Sequence, residues 1–313
     1  MAELAAELRR AAQALAEAGV SSPRADAELL AGHVLGMRRG QLQARAAAGA
    51  ELPEAAQQKL RALISERARR IPLQHLTGEA PFRTLSLRVG PGVFIPRPET
   101  EQVVQYALDR LAQLRRRGVT RPRVIDLGTG SGAIAAAVAA EHPDADVHAV
   151  ELSAEAAAWA ELNFQNLPEG SAAVTLHRAD LRQVPDLLAA GELSSPTGAA
   201  DPSGGFDVVI SNPPYIPPGS EPTEVEVAEH DPQLALYGGG DDGLELPRAA
   251  VETAAAVLVD GGWFILEHAE VQADALARIC TAHPQLADVT SHQDLSGRPR
   301  ATSAVKTSAS GPA

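Results

Sequence analysis

The residues best suited to chemistry are four in a row, Asn212 to Tyr215, which read Asn-Pro-Pro-Tyr and follow the apolar run 206–210. That run predicts a buried strand, and ligands bind at the carboxyl ends of strands in open α/β sheets. An amide, two prolines and an aromatic ring at such an end can hold a planar NH2 group by hydrogen bonds and ring contact. Asn-Pro and Pro-Pro are also common turn signals, so the tetrapeptide alone leaves an ordinary loop as an open alternative.

A second candidate site follows an earlier predicted strand. Residues 123–127 predict that strand, residues 128–132 read Gly-Thr-Gly-Ser-Gly, and a helical pattern starts at Ala133. Glycines let a backbone approach a ligand closely, and the start of a helix offers unpaired N–H groups. The loop therefore predicts a cofactor that contains adenosine. Gly128, Gly130 and Ala133 also satisfy the pattern G-x-G-x-x-G/A, so a nicotinamide dinucleotide stays an alternative at this point.

Three acidic residues stand where they could complete a cofactor site. Asp126 precedes the first glycine by two positions, and a carboxylate there suits a ligand with an ammonium and a sulfonium better than a pyrophosphate. Glu151 follows the predicted strand 146–150, where an acid can accept hydrogen bonds from both ribose hydroxyls. Asp180 follows the next strand and could bind the exocyclic amine of adenine, with Leu181 against the ring. A helix N-cap is the structural alternative for Asp180.

Composition narrows the class of protein. The 313 residues carry a net charge of −13 at pH 7, and such an acidic surface disfavours non-specific binding to nucleic acid. The single cysteine, Cys280, excludes an intramolecular disulfide, which favours a reducing compartment such as the cytoplasm. Neither a signal peptide nor an apolar run long enough for a membrane span is evident, so we expect no membrane association.

The pattern of the chain predicts four regions. Residues 1–75 read as helices and predict a small N-terminal helical domain, which either docks a substrate or serves as a structural cap, followed by a Gly- and Pro-rich hairpin or linker at 76–100. Residues 101–306 alternate helix and strand, which predicts an α/β fold with a doubly wound, mostly parallel sheet of the Rossmann-like kind. A surface insertion is expected at 190–205 and a disordered tail at 307–313.

Taken together, these motifs resemble S-adenosylmethionine-dependent methyltransferases of the Rossmann-like class. Asn-Pro-Pro-Tyr narrows the resemblance to enzymes that methylate planar nitrogens. Further motifs are similar to those of the peptide chain release factor glutamine methyltransferase family, and the likeness extends over nearly all of residues 1–306. These motifs are Ser-Pro-Arg-Ala-Asp-Ala-Glu-Leu-Leu at 22–30, Pro-Leu-Gln-His-Leu-Thr-Gly at 72–78, Phe-Ile-Pro-Arg-Pro-Glu-Thr-Glu at 94–101 and Gly-Gly-Asp-Asp-Gly-Leu at 239–244.

The resemblance implies a class I methyltransferase that uses S-adenosyl-L-methionine, releases S-adenosyl-L-homocysteine and needs no metal. It implies N5-methylation of the glutamine in the Gly-Gly-Gln motif of bacterial class I release factors by a cytoplasmic monomer. The implied cofactor contacts are Asp126, Gly128, Thr129, Gly130, Ser131, Gly132, Glu151, Asp180, Leu181 and Asn212. The implied substrate contacts are Asn212, Pro213, Pro214 and Tyr215, with Asn212, Pro213 and Tyr215 as the catalytic residues. Some relatives carry an aromatic residue at the position of Leu181.

Three other functions fit parts of the pattern. A nucleic-acid N-methyltransferase acting on adenine N6 or guanine N2 would use the tetrapeptide to hold a base flipped from its stack. The acidic charge and the absence of a recognisable target-recognition domain argue against it. A ribosomal-protein glutamine methyltransferase would share the chemistry. A non-enzymatic module that binds the cofactor and docks a partner through its helices would have no need of Asn212 and Tyr215.

Overall fold

The computed structural model describes residues 2–193 and 204–308. In chain order the first elements are β1 (Ala2–Glu3), α1 (Leu4–Glu17), α2 (Pro23–Leu35), α3 (Arg39–Ala47), β2 (Glu51–Leu52), α4 (Glu54–Ala68), α5 (Leu73–Thr77), β3 (Glu79–Phe82), β4 (Leu85–Arg88) and α6 (Pro98–Arg116). They are followed by β5 (Arg123–Leu127), α7 (Ala133–Glu141), β6 (Asp146–Glu151), α8 (Ala154–Gln165), β7 (Val174–Arg178), a 3-10 turn at Leu181–Gln183, α9 (Val184–Ala189) and β8 (Phe206–Ser211). The last elements are α10 (Val225–His230), α11 (Gln233–Leu236), α12 (Glu245–Val257), β9 (Leu258–Glu267), a 3-10 turn at Glu270–Gln272, α13 (Ala273–Ala282), β10 (Leu286–Gln293) and β11 (Pro299–Lys306).

The chain divides into two compact units. The first consists of Met1–Glu79, Val89–Pro91 and Glu221–Asp231, and the second of Ala80–Arg88, Gly92–Ser220 and Pro232–Ala313. Within the described residues, no helix is long and apolar enough to cross a membrane.

The first unit is helical, as its sequence predicts. The helix α2 begins with Pro23 at its first turn and ends at Gly36, which takes the left-handed conformation at φ 62°. Its core is built from leucines that are at most 1% exposed, among them Leu15, Leu30 and Leu60. Burial of these apolar side chains, which helical spacing places on one face of each helix, is the main stabilising contribution to the unit.

The first unit also contains a segment that the sequence does not assign to it, Glu221–Asp231. Glu226 in α10 accepts hydrogen bonds from Arg67 Nη2 at 2.7 Å and from Arg70 Nε at 2.9 Å. Arg67 is buried, and its Nε lies 2.8 Å from Asp26 Oδ2. Burial raises the pKa of Glu226, but the hydrogen bonds from Arg70 and Arg67 outweigh it and hold the pKa at about 2. The segment is thus held by buried charges of the first unit.

The second unit contains a seven-stranded sheet in the order β10-β11-β9-β8-β5-β6-β7. The strands from β9 to β7 run parallel, and β11 runs antiparallel to both β9 and β10. Two clusters of buried apolar side chains pack against this sheet. The expectation of a Rossmann-like, doubly wound and mostly parallel sheet is confirmed.

The structure corrects three details of the sequence reading. The sequence predicts no helix or strand after Ala282, yet β10 and β11 occupy Leu286–Gln293 and Pro299–Lys306. The first residues of the expected insertion are not all at the surface, because Leu193 is fully buried and its carbonyl accepts a hydrogen bond from Arg123. The predicted start of the disordered tail, at Thr307, is too early in the sequence. The Thr307 amide donates a hydrogen bond to the Gln285 carbonyl at 2.9 Å. The rest of both predictions, residues 194–203 and 309–313, lies outside the described residues.

Candidate active site

The register of the parallel strands brings four chain segments to one edge of the sheet. Leu127 at the end of β5 pairs with Val150 of β6 on one side and with Ser211 of β8 on the other. Ser211 in turn pairs with Leu266 of β9. The residues that follow these positions therefore emerge side by side, and they are the glycine turn, Glu151, the Asn-Pro-Pro-Tyr loop and Glu267.

The glycine turn is bound to the neighbouring strand. The amides of Gly128 and Thr129 both donate to the Val150 carbonyl at 2.9 Å. Gly128 and Gly130 have φ of 77° and 57°, which side chains rarely tolerate. A β-carbon at either position would meet no atom within 4 Å, so the space in front of both residues is open. This side of the turn offers room for a ligand close to the backbone.

The rest of the turn leads into α7. Gly132 has φ 84° and its carbonyl accepts from the Ala136 amide at 2.8 Å, which is the start of the helical hydrogen bonding. Ser131 is buried, and its carbonyl accepts from Asn163 Nδ2 at 2.8 Å. The predicted cofactor loop therefore has a fixed backbone.

Asp126 lies beneath the turn and is fully buried. Its Oδ2 accepts from Thr129 Oγ1 at 2.5 Å and from the Ala135 amide at 3.2 Å. Its Oδ1 is buried and has no hydrogen-bond partner among the described residues. Burial raises the pKa of Asp126 to about 7, since the two hydrogen bonds only partly offset it and the nearby Glu151 charge raises it further. A carboxylate with one free oxygen in this position would gain from a cation beside it.

Glu151 stands at the end of β6, as the sequence predicts, and only 8% of its surface is exposed. Its Oε2 accepts from the Gly130 amide at 2.8 Å and its Oε1 from the Ser153 amide at 2.7 Å. The carboxylate thus links the glycine turn to the start of α8, and binding of a ribose by Glu151 stays a prediction.

Asp180 takes the N-cap position of the 3-10 turn at Leu181–Gln183, the structural alternative for this residue. Its Oδ1 accepts from the Arg182 amide at 2.9 Å, and its Oδ2 lies 2.6 Å from Arg182 Nη2. Hydrogen bonding from Arg182 lowers the pKa of Asp180. Leu181 is buried in one of the two core clusters of the second unit. Binding of adenine by these two residues stays a prediction.

The Asn-Pro-Pro-Tyr loop is anchored at its first residue. Asn212 Nδ2 donates to Thr100 Oγ1 at 3.2 Å, and Thr100 is buried in the first turn of α6. Among the described residues, no hydrogen bond is donated to Asn212 Oδ1. Pro213 is buried, and Pro214 and Tyr215 are half-buried. Asn212 therefore keeps a free acceptor oxygen at the edge of the sheet.

Tyr215 is held through its backbone. Its carbonyl accepts from Gln272 Nε2 at 2.8 Å, and the same nitrogen donates to the Asp242 carbonyl at 3.2 Å. Burial and the nearby Glu267 carboxylate raise the pKa of Tyr215 to about 12. The phenol is therefore neutral at physiological pH and offers an aromatic face and an O–H group.

The motif at 239–244 and the preceding Gly238 support this loop, a role that sequence analysis did not assign. A β-carbon at Gly243 would stand 2.5 Å from the Tyr215 carbonyl oxygen and 2.7 Å from the Pro217 nitrogen. One at Gly238 would stand 2.7 Å from the Pro214 carbonyl oxygen. Only glycine leaves room for two chain segments to lie this close. The spacing of residues in the sequence could not reveal this contact, because the glycine segment and the Asn-Pro-Pro-Tyr loop are separate along the chain and meet only in the folded structure.

Glu267 is a site residue that sequence analysis missed. It ends β9 next to Asn212, is 2% exposed, and its Oε2 has no hydrogen-bond partner among the described residues. Burial raises its pKa to about 7, although hydrogen bonds from Thr100 and Asn212 and the charge of Arg300 lower it in part. In the sequence, Glu267 is a single glutamate after an apolar run. Many ordinary strands end in this way, so the pattern does not indicate a site residue.

The site fits S-adenosylmethionine. An open space in front of Gly128 and Gly130, a buried carboxylate with a free oxygen at Asp126, and Glu151 at the adjoining strand end match its methionine and ribose parts. A mostly parallel sheet with this turn and an Asn-Pro-Pro-Tyr loop on neighbouring strands defines a methyltransferase of the Rossmann-like class.

Comparisons with known proteins specify the family. Residues 7–78 match the family model for the PrmC N-terminal domain, and residues 91–229 match that for the methyltransferase small domain. The release factor glutamine methyltransferase of Streptomyces coelicolor is 44% identical over 305 residues, which is 97% of this chain and 98% of that protein. The release factor glutamine methyltransferase of Mycolicibacterium smegmatis is 42% identical over 306 residues, which is 98% of this chain and 99% of that protein.

The chain belongs to the release factor glutamine methyltransferase family. It is therefore a methyltransferase whose methyl donor is S-adenosylmethionine, and both expectations are confirmed. Among solved structures, a methyltransferase from Pyrococcus furiosus is similar in fold, with a TM-score of 0.46 and 17% sequence identity. The matched region covers 72% of this chain and 90% of that protein's chain.

Proposed function

We propose that this protein methylates the side-chain amide nitrogen, N5, of the glutamine in the Gly-Gly-Gln motif of bacterial class I release factors. The observation that carries the proposal is the pairing of Ser211 with Leu127, which places the Asn-Pro-Pro-Tyr loop beside the glycine turn. The relatives in which nearly the whole chain is matched are named for this activity. Family membership does not favour the nucleic-acid alternative. The protein acts as a cytoplasmic monomer in this proposal.

The loop addresses the main chemical difficulty of the reaction. An amide nitrogen is a poor nucleophile because its lone pair is delocalised into the carbonyl, the same resonance that makes peptide bonds planar. Asn212 Oδ1 accepts one N–H of the glutamine amide, and the backbone carbonyl of Pro213 accepts the other. Two acceptors increase electron density at the nitrogen and stabilise the positive charge that develops on it. The ring of Tyr215 packs against the planar amide.

The remaining residues bring the two reactants together. S-adenosylmethionine supplies a methyl group activated by its bond to a sulfonium. Asp126, Glu151 and the glycine turn bind and orient the cofactor, and the loop orients the amide. Fixing the cofactor and the substrate amide in one geometry lowers the activation barrier of methyl transfer by roughly several kcal/mol, because the bound reactants have little orientational entropy left to lose. The nitrogen then loses its extra proton to water.

Methyl transfer to purified release factor tests the proposal. The protein is incubated with S-adenosylmethionine that carries a radiolabelled methyl group and with a release factor, and a factor whose Gly-Gly-Gln glutamine is replaced by alanine serves as control. Label should enter the natural factor and be absent from the control. Parallel incubations contain DNA, RNA or ribosomal proteins. Label in the substituted factor, or label only in one of the parallel incubations, would contradict the proposal.

A further inference from the structure

The site contains a buried carboxylate that the proposed mechanism does not use. Glu267 ends the strand beside the one that delivers Asn212, since Ser211 pairs with Leu266 and the next residues are Asn212 and Glu267. It is 2% exposed and Oε2 is unpartnered among the described residues, an arrangement that costs stability. A buried glutamate without a structural partner for both oxygens points to a role in the site.

The hydrogen bond from Asn212 to Thr100 indicates which end of the Asn212 amide lies toward Glu267. Asn212 Nδ2 donates to Thr100 Oγ1 at 3.2 Å, and the polar side chains of Thr100 and Asn212 lower the pKa of the neighbouring Glu267 carboxyl. An ionised carboxylate accepts hydrogen bonds and donates none. The Thr100 hydroxyl, which accepts from Asn212, has its own hydrogen available for Glu267. The NH2 end of the Asn212 amide is therefore the end that faces Thr100 and Glu267.

This direction matters because the two ends of an asparagine amide have nearly the same shape and opposite roles. With NH2 toward Glu267, the oxygen Oδ1 is left to accept from the substrate amide. With the amide reversed, an NH2 group would face the substrate NH2, and the acceptor would be lost. We propose that Glu267 is a positioning residue that, as a carboxylate, holds the Asn212 amide in the orientation that presents Oδ1 to the glutamine.

A protonated Glu267 would lose this selectivity. The acid form has one O–H donor, so it can donate to Asn212 Oδ1 and stabilise the reversed amide. The charged and titratable groups that face Glu267 are Arg300 on β11, Glu99 on α6 and Tyr215 on the loop. Arg300 lowers the pKa of Glu267 and Glu99 raises it, with burial as the largest effect, and the pKa lies at about 7. Activity should therefore rise with pH as Glu267 ionises.

The inference rests on the proposed function, because it assigns Asn212 the role of acceptor. Its kinetic test compares Glu267→Gln with the natural protein and with Glu270→Gln, which removes the same charge from an exposed position three residues later. Glutamine keeps the size of Glu267 but can donate as well as accept. We expect kcat/KM for release factor to fall about ten- to a hundredfold, the usual effect of losing a hydrogen bond to a charged group. The Kd for cofactor should stay the same in all three proteins.

The pH profile separates positioning from a purely structural role. At saturating S-adenosylmethionine, kcat/KM for release factor should rise between pH 6 and 8 in the natural protein and in Glu270→Gln, whereas in Glu267→Gln it should stay low with that rise lost. A wild-type rate and the same profile in Glu267→Gln would overturn the inference. Thermal unfolding and cofactor binding verify that the variant is folded.

A measurement without substrate keeps this test distinct from that of the proposed function. In protein labelled with 15N-asparagine, the side-chain NH2 signal of Asn212 is identified by its loss in Asn212→Ala. Its chemical shift should titrate with an apparent pKa near that of Glu267 and stop titrating in Glu267→Gln. A shift that does not respond to Glu267 overturns the inference, even if release factor is methylated. A shift that responds supports it, even if the substrate is another amide.

Discussion

The hydroxyl of Ser211 donates to the carbonyl of Leu127 at 2.7 Å, and both groups are buried. Ser211 immediately precedes Asn212, and Leu127 immediately precedes Gly128. This bond therefore joins the two strand ends from which the Asn-Pro-Pro-Tyr loop and the glycine turn emerge. A short, fixed distance between the two loops is what a direct methyl transfer requires, because both reactants must meet in a narrow range of geometry.

Gly243 should be needed for the shape of the Asn-Pro-Pro-Tyr loop. In Gly243→Ala the new β-carbon would stand 2.5 Å from the Tyr215 carbonyl oxygen at a φ of 71°. We expect a loss of about 2 to 4 kcal/mol in the free energy of unfolding, from backbone strain and the clash together. Because the loop must shift, kcat should fall about tenfold or more. Denaturant unfolding and steady-state kinetics measure the two effects.

Gly240→Ala is the matched control for this prediction. Gly240 has a similar φ of 65°, but a β-carbon there would come no closer than 3.4 Å to its neighbours, and the nearest is the side-chain oxygen of Asp242. Gly240→Ala should lose only about 1 kcal/mol in the free energy of unfolding and keep a nearly normal kcat. Equal activity of the two alanine variants would contradict the role given to Gly243.

Glu151 should determine cofactor affinity. In Glu151→Ala the amides of Gly130 and Ser153 lose their acceptor, and so would the ribose hydroxyls. We expect the Kd for S-adenosylmethionine to rise about tenfold to a hundredfold, which corresponds to the loss of charge-assisted hydrogen bonds. Isothermal titration calorimetry measures this, with Glu161→Ala on the exposed face of α8 as the control. A Kd in Glu151→Ala equal to that of the control would remove Glu151 from the site.

Cofactor binding should depend on pH through Asp126. Its pKa of about 7 lies above the ordinary value of 3.8, chiefly because of burial, so the native state keeps the proton between those pH values while the unfolded state has lost it. Stability conferred by Asp126 is thus greatest below about pH 4 and falls by on the order of 4 kcal/mol as pH rises to 7. A bound cation favours the ionised form.

The Kd for S-adenosylmethionine should therefore decrease as pH rises from 5.5 to 7.5, by at most about tenfold per pH unit. Asp126→Asn should flatten this dependence and also reduce the loss of stability over the same range, to which Glu267 with its raised pKa still contributes. Glu267→Gln, which lacks the other carboxyl of the site whose pKa is raised to about 7, should keep the pH dependence of cofactor binding. Calorimetry and denaturant unfolding across this range provide the data. An unchanged slope in Asp126→Asn would show that another group titrates.

The sequence predicts the parts of the site that lie directly after strands. Apolar runs indicate β5 and β8, and the residues that follow them, Gly128 and Asn212, meet because parallel strands end at one edge. Asp180 shows the limit of such reasoning: its position after β7 is right, but whether a carboxylate binds a ligand or caps a turn depends on neighbours such as Arg182.

Other parts depend on tertiary contacts that no local pattern contains. Glu267 is recognisable only once β9 is known to lie beside β8. The strands β10 and β11 were missed because β10 is largely exposed and polar and shows no clear apolar alternation. The turn signal Ser296-Gly297 between them does not by itself predict strands on either side. Glu221–Asp231 joins the first unit through Arg67 and Arg70, which precede it by some 150 residues.

Methyl transfer by Asn212→Ala tests the central claim, that an asparagine oxygen beside the glycine turn holds the amide to be methylated. The measurement pairs calorimetric binding of S-adenosylmethionine with radiolabel transfer to release factor, and the exposed Asn166→Ala serves as control. We predict a nearly unchanged cofactor Kd and transfer reduced by at least about a thousandfold. Normal turnover by Asn212→Ala would contradict the account.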